Sequence, residues 1–177
     1  RFEDGEDESE VNVIISGVMP PMFKYEGTRG EFEAGRIAKR ANFAPNRARR
    51  EWRDIPVSLG RPSADVTTLR MTLPFDTSEV EIDGNLQVQA EAAGKTFTRS
   101  AELNGQEVFI FERISAQGGE LAAEDILEER RKSQRIAGET LTLVAPASAQ
   151  RRWRFAGDAD RSALDPLEEA FAKGIAS

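Results

Sequence analysis

The middle of the chain alternates apolar and polar residues, and this period of two constrains the fold more than any other feature. The residues from Leu69 to Leu73 alternate until Pro74, and the stretch from Leu86 to Ala92 alternates in the same way. Successive side chains of a β-strand point to opposite faces, so these runs predict strands with one buried and one solvated face. A shorter apolar run ends at Asp83-Gly84, a dipeptide that favours a turn.

The dipeptide Asn104-Gly105 is the strongest turn signal in the chain. Both residues tolerate the positive φ of a type I′ turn, and apolar residues alternate on either side of them. We therefore predict a hairpin whose strands are Phe97–Leu103 and Glu107–Ile114. The second strand carries apolar residues on both faces, so it must lie in the centre of a sheet or be covered by another layer.

Two segments favour helix. Residues Leu121 to Ala137 place acids early and bases late, which complements the helix macrodipole, and Gly138 fits a left-handed C-terminal cap. A second helix start occurs at Asp165-Pro166. The apolar stripe that follows it consists of Leu167, Ala170, Phe171, Gly174 and Ile175. We interpret residues 161–177 as a helical extension that leads out of the domain.

The remaining segments are shorter. Val11 to Ile15 predicts a well-buried strand, because Ile14 is apolar as well as its neighbours, and Trp153 and Phe155 indicate a final strand. Residues 1–10 hold six acids, which we interpret as a solvated end rather than a calcium site, because the ligand spacing of a calcium loop is absent.

Together these patterns predict a mostly β (α+β) fold, an antiparallel β-sandwich-like domain with one or two accessory helices. Residues 1–160 form the single β-rich domain in this interpretation. The whole chain of 177 residues has no cysteine, and it is long enough to bury a core without disulfides.

Residues 26–54 differ from the β-rich remainder. Seven basic residues lie between Arg36 and Arg53, with Glu51 the only acid among them. Residues Glu33–Asn42 can form a helix that Pro45 ends or restarts, so the segment is one broken helix, two short helices or a loop, and we predict a basic, partly helical insertion. The candidate interaction residues in this segment are Arg36, Arg40, Arg47, Arg49, Arg50, Trp52 and Arg53.

The basic segment admits two readings. Its arginines could contact phosphates while Trp52 or Phe43 stacks on bases, as in a nucleic-acid or polyanion binder. Alternatively, the arginines form a solvated or ion-pairing face, and Trp52 belongs to the core. The net charge of −7, from 24 basic and 31 acidic residues, favours the second reading and makes nucleic acid an unfavoured partner.

The search for catalytic chemistry is negative. The chain has no cysteine and no histidine, so it lacks a thiolate nucleophile, the commonest general base and the commonest metal ligand. Phosphate-binding and dinucleotide-binding glycine motifs are also absent, and no apolar run is long enough to span a membrane. A histidine-free enzyme could still use paired carboxylates or a Ser-Lys pair, and this is the third hypothesis, but no such pair stands out in the sequence. We assign no catalytic, cofactor-binding or metal-binding residue and expect that this chain is not an enzyme.

From Trp52 to Ala145 the order of motifs resembles a known family. The motifs are Trp52-Arg53-Asp54-Ile55-Pro56-Val57, Gly60-Arg61-Pro62, Leu69-Arg70-Met71-Thr72-Leu73-Pro74, Phe97-Thr98-Arg99-Ser100-Ala101-Glu102-Leu103 before Asn104-Gly105, and Gly119-Glu120-Leu121-Ala122-Ala123-Glu124. This order is similar to the β-rich region that follows the catalytic core in bacterial transglutaminase-like proteins. Those proteins carry an N-terminal domain of unknown function, and some continue into tetratricopeptide repeats.

The resemblance implies an accessory role. The family's catalysis uses a Cys-His-Asp triad, and none of those roles can be carried over to a chain without cysteine and histidine. It implies a non-catalytic domain of a larger, exported, periplasmic protein, which supports its parent or binds protein or peptide. Its partners would then be other domains of the same parent chain. The alternative is a polyanion or nucleic-acid binder that uses the basic segment.

Overall fold

The computed structural model describes residues 2–4, 11–17, 23–26, 29–35, 37–147 and 149. The strands are β1 Phe2–Asp4, β2 Val11–Val13, β3 Lys24–Glu26, β4 Arg29–Glu33, β5 Val57–Gly60, β6 Ser63–Thr72, β7 Glu81–Gly84, β8 Gln87–Ala92, β9 Lys95–Asn104, β10 Glu107–Ala116, β11 Gly119–Leu121 and β12 Leu141–Ala145. The helices are α1 Ile37–Arg40 and α2 Ile126–Ala137, with 3₁₀ turns at Arg50–Trp52, Thr77–Glu79 and Ala123–Asp125. The predicted strand at Trp153 and the extension 161–177 lie outside the described residues, as does most of the acidic N-terminus.

One four-stranded antiparallel sheet, called sheet 1 below, has the strand order β6-β10-β9-β8. Its strands all lie in residues 63–116, where alternation predicted strands, although β7 within this stretch belongs to the other four-stranded sheet. β10 lies between β6 and β9, which confirms the prediction that the doubly apolar strand is central. One face of β10 carries the buried Val108 and Ile110, and the other carries the half-buried Phe109 and Phe111.

The hairpin between β9 and β10 is confirmed, but its turn lies one residue later than predicted. Asn104 pairs with Glu107, so Gly105 and Gln106 form the two-residue loop. Gly105 has a φ of +57° whereas Gln106 has a negative φ, which is the pattern of a type II′ turn and not of type I′. Tertiary contacts hold this position, because the carbonyl of Gly105 accepts a hydrogen bond from the Thr77 N–H at 2.7 Å.

A second four-stranded antiparallel sheet, called sheet 2, has the strand order β3-β4-β12-β7. β12 lies at its centre and pairs with β4 on one side and β7 on the other. Glu33 therefore belongs to β4, opposite Thr142, and the predicted helix Glu33–Asn42 is wrong over its first turn: α1 is confined to Ile37–Arg40. The chain needs an extended β4 here because β12 requires a partner on that side.

The two sheets share one core. Buried residues of sheet 1, such as Val108 and Ile110, pack in the same cluster as Leu141 and Leu143 of sheet 2 and Phe75 from the connection between them. This packing confirms the antiparallel β-sandwich-like fold with accessory helices. Beyond sheet 1, the antiparallel pair of β6 and β10 continues as the short ladder of β5 with β11.

A buried ion pair joins the sheet-1 strands β9 and β10 to the helices. Arg99, whose side chain is fully buried, donates from Nε to Oε1 of Glu112 at 3.0 Å. Its Nη1 donates to the carbonyl of Glu139, which follows α2, at 3.3 Å. The same carboxylate oxygen of Glu112 accepts the N–H of Ile37, the first residue of α1, at 3.4 Å. One arginine and one glutamate thus connect a sheet to both helices.

Helix α2 covers a second, smaller core. Its Ile136 packs with Ile37, Ala92 and Phe97. The helix begins at Ile126, five residues later than predicted, because β11 and a 3₁₀ turn occupy the residues before it. Gly138 does cap the helix, but its φ of −82° is right-handed, so the predicted left-handed cap is wrong. The N–H of Gly138 donates to carbonyls of the last turn, and no left-handed residue is needed at the end of the helix.

The prediction of a well-buried strand from Val11 to Ile15 is also wrong. β2 ends at Val13 and pairs only with the three residues of β1 in the described part of the chain. Val11, Val13, Ile14 and Ile15 are exposed, with Ile15 at 88%. Alternation indicated a strand correctly here, but none of these residues reaches either core.

Candidate functional site

Arg47 closes the loop of the basic segment. Its Nη1 donates to the carbonyl of Trp52 and its Nη2 to the carbonyl of Ile55, the latter at 2.6 Å. The guanidinium of Arg47 therefore links the 3₁₀ turn Arg50–Trp52 to the start of the loop that leads into β5. Nε of Arg47 is buried and has no hydrogen-bond partner among the described residues. These hydrogen bonds give Arg47 a structural role, because they hold the loop in place.

Trp52 is displayed at the surface and is not a core residue. Its side chain is 37% exposed, which makes the core interpretation wrong for this tryptophan. The guanidinium of Arg49 lies over its ring, 5.1 Å from the ring centroid. The negative face of the indole ring attracts the guanidinium, so this contact is favourable and one face of the indole is occupied.

The basic residues of the segment divide into two groups. Arg40 forms an ion pair with Asp65 at 2.6 Å, and Lys39 forms one with Glu33 at 3.2 Å. Arg49, Arg50 and Arg53 are exposed and have no ion pair with any described residue. The ion-pairing interpretation thus holds for the helical part of the segment and not for the loop. Arg36 lies outside the described residues.

The basic loop meets the beginning of α2 in a small cleft. Arg47 and Arg53 from the loop, and Arg130 from α2, line this cleft together with the side chains Ala123, Ile126 and Leu127. The cleft is open to solvent and has a volume of about 210 Å³. Leu127 is 58% exposed, which is unusual for a helical leucine beside a core. We call these six residues the arginine cleft.

Sequence reasoning missed Arg130. The basic second half of α2 was recognised but was explained by the helix macrodipole and by ion pairs along the helix. The macrodipole accounts for Arg135, which lies in the last turn. Ion pairs along the helix account for none of Arg130, Arg131 and Arg135, which have no ion pair with a described residue. Arg131 and Arg135 line a neighbouring open depression of about 570 Å³ with Glu128 and Gln134. Free arginines therefore continue along the exposed side of the helix.

The acids of the first turn of α2, Glu128 and Glu129, are paired with Lys132 of the same helix. Lys132 bonds to Glu129 at 2.7 Å and to Glu128 at 2.9 Å. These bonds raise the pKa of Lys132 to about 12, with Glu129 the larger cause. The Lys132 bond, helped by the N–H of Ala93, holds the pKa of Glu129 below its usual value. The cleft arginines are thus left without a competing carboxylate from these two residues.

Within the described ranges, no group of three or more acidic side chains is placed to hold a metal ion. None of the helices described is long and apolar enough to cross a bilayer. The arrangement can offer hydrogen-bond donors and positive charge beside a small apolar floor, which suits an anionic ligand with an apolar part.

Comparison of the chain with protein-family models, curated proteins and solved structures found no match.

Proposed function

We propose that this chain is a non-catalytic accessory domain that binds an acidic segment of a protein or peptide in the arginine cleft. The observation that carries the proposal is that Arg53 and Arg130, both without an ion pair to a described residue, line the same cleft as the exposed Leu127. Guanidinium groups bind carboxylates through two parallel hydrogen bonds, and the leucine adds apolar contact. The ligand is a short stretch in which an acidic residue adjoins an apolar one.

The cleft distinguishes this ligand from a simple polyanion. A polyanion would use the charges of Arg53 and Arg130 but would leave Leu127 exposed. Covering a leucine fully is worth about 1.5–3 kcal/mol, so an apolar neighbour adds measurably to the affinity. Peptides that differ only in that neighbour separate the two contributions.

The test is fluorescence anisotropy with a labelled peptide of alternating glutamate and leucine. Its comparison peptide replaces leucine with serine and keeps the charge. We expect the leucine peptide to bind more tightly, and the double variant Arg53→Ser/Arg130→Ser to lose binding. The matched control is Arg70→Ser/Arg113→Ser, which removes two exposed arginines from the outer face of sheet 1. Equal loss in both double variants would show that only total charge matters.

The second candidate is the polyanion or nucleic-acid binder. The observation in its favour is that Arg49, Arg50 and Arg53 follow one another on one exposed loop beside Trp52. The Arg49 guanidinium over the indole and the net charge of −7 oppose it. Anisotropy with mixed-sequence DNA and RNA decides: binding that weakens steeply with salt and vanishes in Arg49→Ser/Arg50→Ser would make this the function.

The wider context of the domain is also a proposal. The motifs from Trp52 to Ala145 support a parent of the transglutaminase-like class, exported to the periplasm, whose catalytic core precedes this domain. The domain would then hold a partner or a neighbouring domain beside that core. The full-length reading frame tests this: an export signal and an upstream Cys-His-Asp core are expected, and a frame without them would remove the parent class and leave the cleft proposal standing.

A further inference from the structure

Strand β6 forms one edge of sheet 1 over ten residues, and no other described strand pairs with its outer side. Its ladder with β10 runs from Ser63 to Thr72 without a register shift. An edge strand of this kind presents a row of backbone N–H and C=O groups that can pair with another chain.

The hydrogen-bond pattern identifies the residues whose backbone points outward. The N–H of Leu73 bonds to the carbonyl of Gln106, and these two residues stand opposite each other in the continuation of the β6–β10 register. Hydrogen-bonded pairs alternate along an antiparallel ladder, so the odd-numbered residues of β6 bond to β10. The outward residues are therefore Ala64, Val66, Thr68, Arg70 and Thr72.

The devices that usually protect an edge strand are missing from β6. It contains no proline, and its two charged side chains are engaged elsewhere. Asp65 is bound by Arg40, and Arg70 leans back over the ring of Phe109 on β10, 5.9 Å from the ring centroid. The opposite edge of the sheet differs, because β8 has only six residues and α2 packs against it.

We propose that two copies of this chain associate by pairing β6 with β6 in antiparallel orientation, about a twofold axis at Thr68. In this register each outward residue meets an outward residue of the other copy: Ala64 meets Thr72, Val66 meets Arg70, and Thr68 meets itself. A shift of two residues in either direction leaves at least one outward residue of each copy without such a partner. The register centred on Thr68 is thus the one that satisfies the whole edge.

The side chains are compatible with this register. No like charges stand opposite each other, because Arg70 faces Val66 and Asp65 faces Met71. Val66, which is 55% exposed in the single chain, would be covered by the aliphatic stem of Arg70. The two copies would form one continuous eight-stranded sheet in the order β8-β9-β10-β6 and then, across the axis, β6-β10-β9-β8.

Cysteine cross-linking tests the register directly, because the chain has no cysteine of its own. In Thr68→Cys the two Cα atoms would lie about 5.5 Å apart, within the range of a disulfide. The matched control is Thr72→Cys, on the same face of the same strand, whose copies would lie about 26 Å apart. We expect a covalent dimer on mild oxidation for Thr68→Cys and none for Thr72→Cys. Equal cross-linking of the two variants, or none in either, would overturn the proposal.

A charge exchange gives an independent measurement in solution. Sedimentation equilibrium should show reversible dimers of the unmodified chain in the micromolar range. Thr68→Lys and Thr68→Glu each place like charges face to face at the axis and should each weaken the dimer about tenfold. An equimolar mixture of the two variants should restore it. A chain that stays monomeric throughout, as it would if another segment or a foreign peptide occupied the edge, contradicts the proposal.

Discussion

The buried ion pair of Arg99 and Glu112 leads to the sharpest stability prediction. Replacing Arg99 by Met leaves the Glu112 carboxylate in the core, with 5% of the residue exposed and the cation removed. Removing one partner of a buried pair typically costs about 3–5 kcal/mol, because the remaining charge loses the close opposite charge that offsets its desolvation. Total stabilities of domains are about 5–15 kcal/mol, so Arg99→Met should lose a large fraction of the stability of the fold.

The exposed pair of Arg40 and Asp65 is the matched control. Its atoms are closer, 2.6 Å against 3.0 Å, but both side chains are at least one-third exposed. Solvent-exposed ion pairs contribute about 0–1 kcal/mol, so Arg40→Met should be nearly neutral. Burial and not distance therefore decides which variant is unstable.

Urea denaturation followed by far-ultraviolet circular dichroism measures both variants. The double variant Arg99→Met/Glu112→Leu removes the buried carboxylate together with its cation and should be more stable than Arg99→Met alone. It should still be less stable than the unmodified chain, because the Glu139 carbonyl and the Ile37 N–H lose their partners. The reasoning is refuted if Arg99→Met costs no more than Arg40→Met, or if the double variant is no more stable than Arg99→Met.

Two further predictions concern a pH dependence and a turn. The pKa of Glu129 is lowered in the folded chain, chiefly by the hydrogen bond from Lys132. The ionised carboxylate therefore stabilises the fold at pH values above its ordinary pKa of 4.5, and this stabilisation is lost as the pH falls through the lowered pKa of the folded state. The melting temperature of Glu129→Gln should accordingly fall less on acidification than that of the unmodified chain. Gly94 has a φ of +68°, and a Cβ there would lie 2.5 Å from Cδ1 of Leu59, whereas Gly105, with a φ of +57°, has open space around it. Gly105→Ala should cost about 1–2 kcal/mol from backbone strain alone and Gly94→Ala more, in the same urea assay; equal losses would show that the contact with Leu59 is irrelevant.

The β9–β10 hairpin shows how far local patterns reach. Alternation predicted both strands and the faces of their side chains, and the shift of the turn did not change those faces, because it moves the register by two residues. What local patterns could not decide is which of two adjacent positions forms the loop. With Asn104-Gly105 as the loop, Arg99 would face Ile110 and Glu112 would face Phe97. In that register Arg99 and Glu112 would both be buried but would not be opposite each other. In the observed register they are opposite each other and form an ion pair.

The arginine cleft shows a second limit. The basic loop and the basic half of α2 are each visible as runs of charge, about 80 residues apart. Only the packing of the loop against the start of the helix brings Arg53 and Arg130 to one cleft. Likewise, Val11 and Ile15 have the same apolar character as core strands, and only the position of β2 away from both cores leaves them exposed. Period and composition predict elements, whereas burial and adjacency depend on contacts distant in sequence.

The central place of β12 in sheet 2 has a consequence for folding during synthesis. All strands of sheet 1 lie between residues 63 and 116, so that sheet can form from contacts close in sequence. Sheet 2 joins β4 to β7 only through β12, more than a hundred residues after β4. Pairings of such high contact order form slowly. A nascent chain that has not reached Leu141 therefore carries sheet 1 without the Leu141 and Leu143 side chains that pack in one cluster with Val108 and Ile110, and transiently exposed apolar surface of this kind is prone to aggregate.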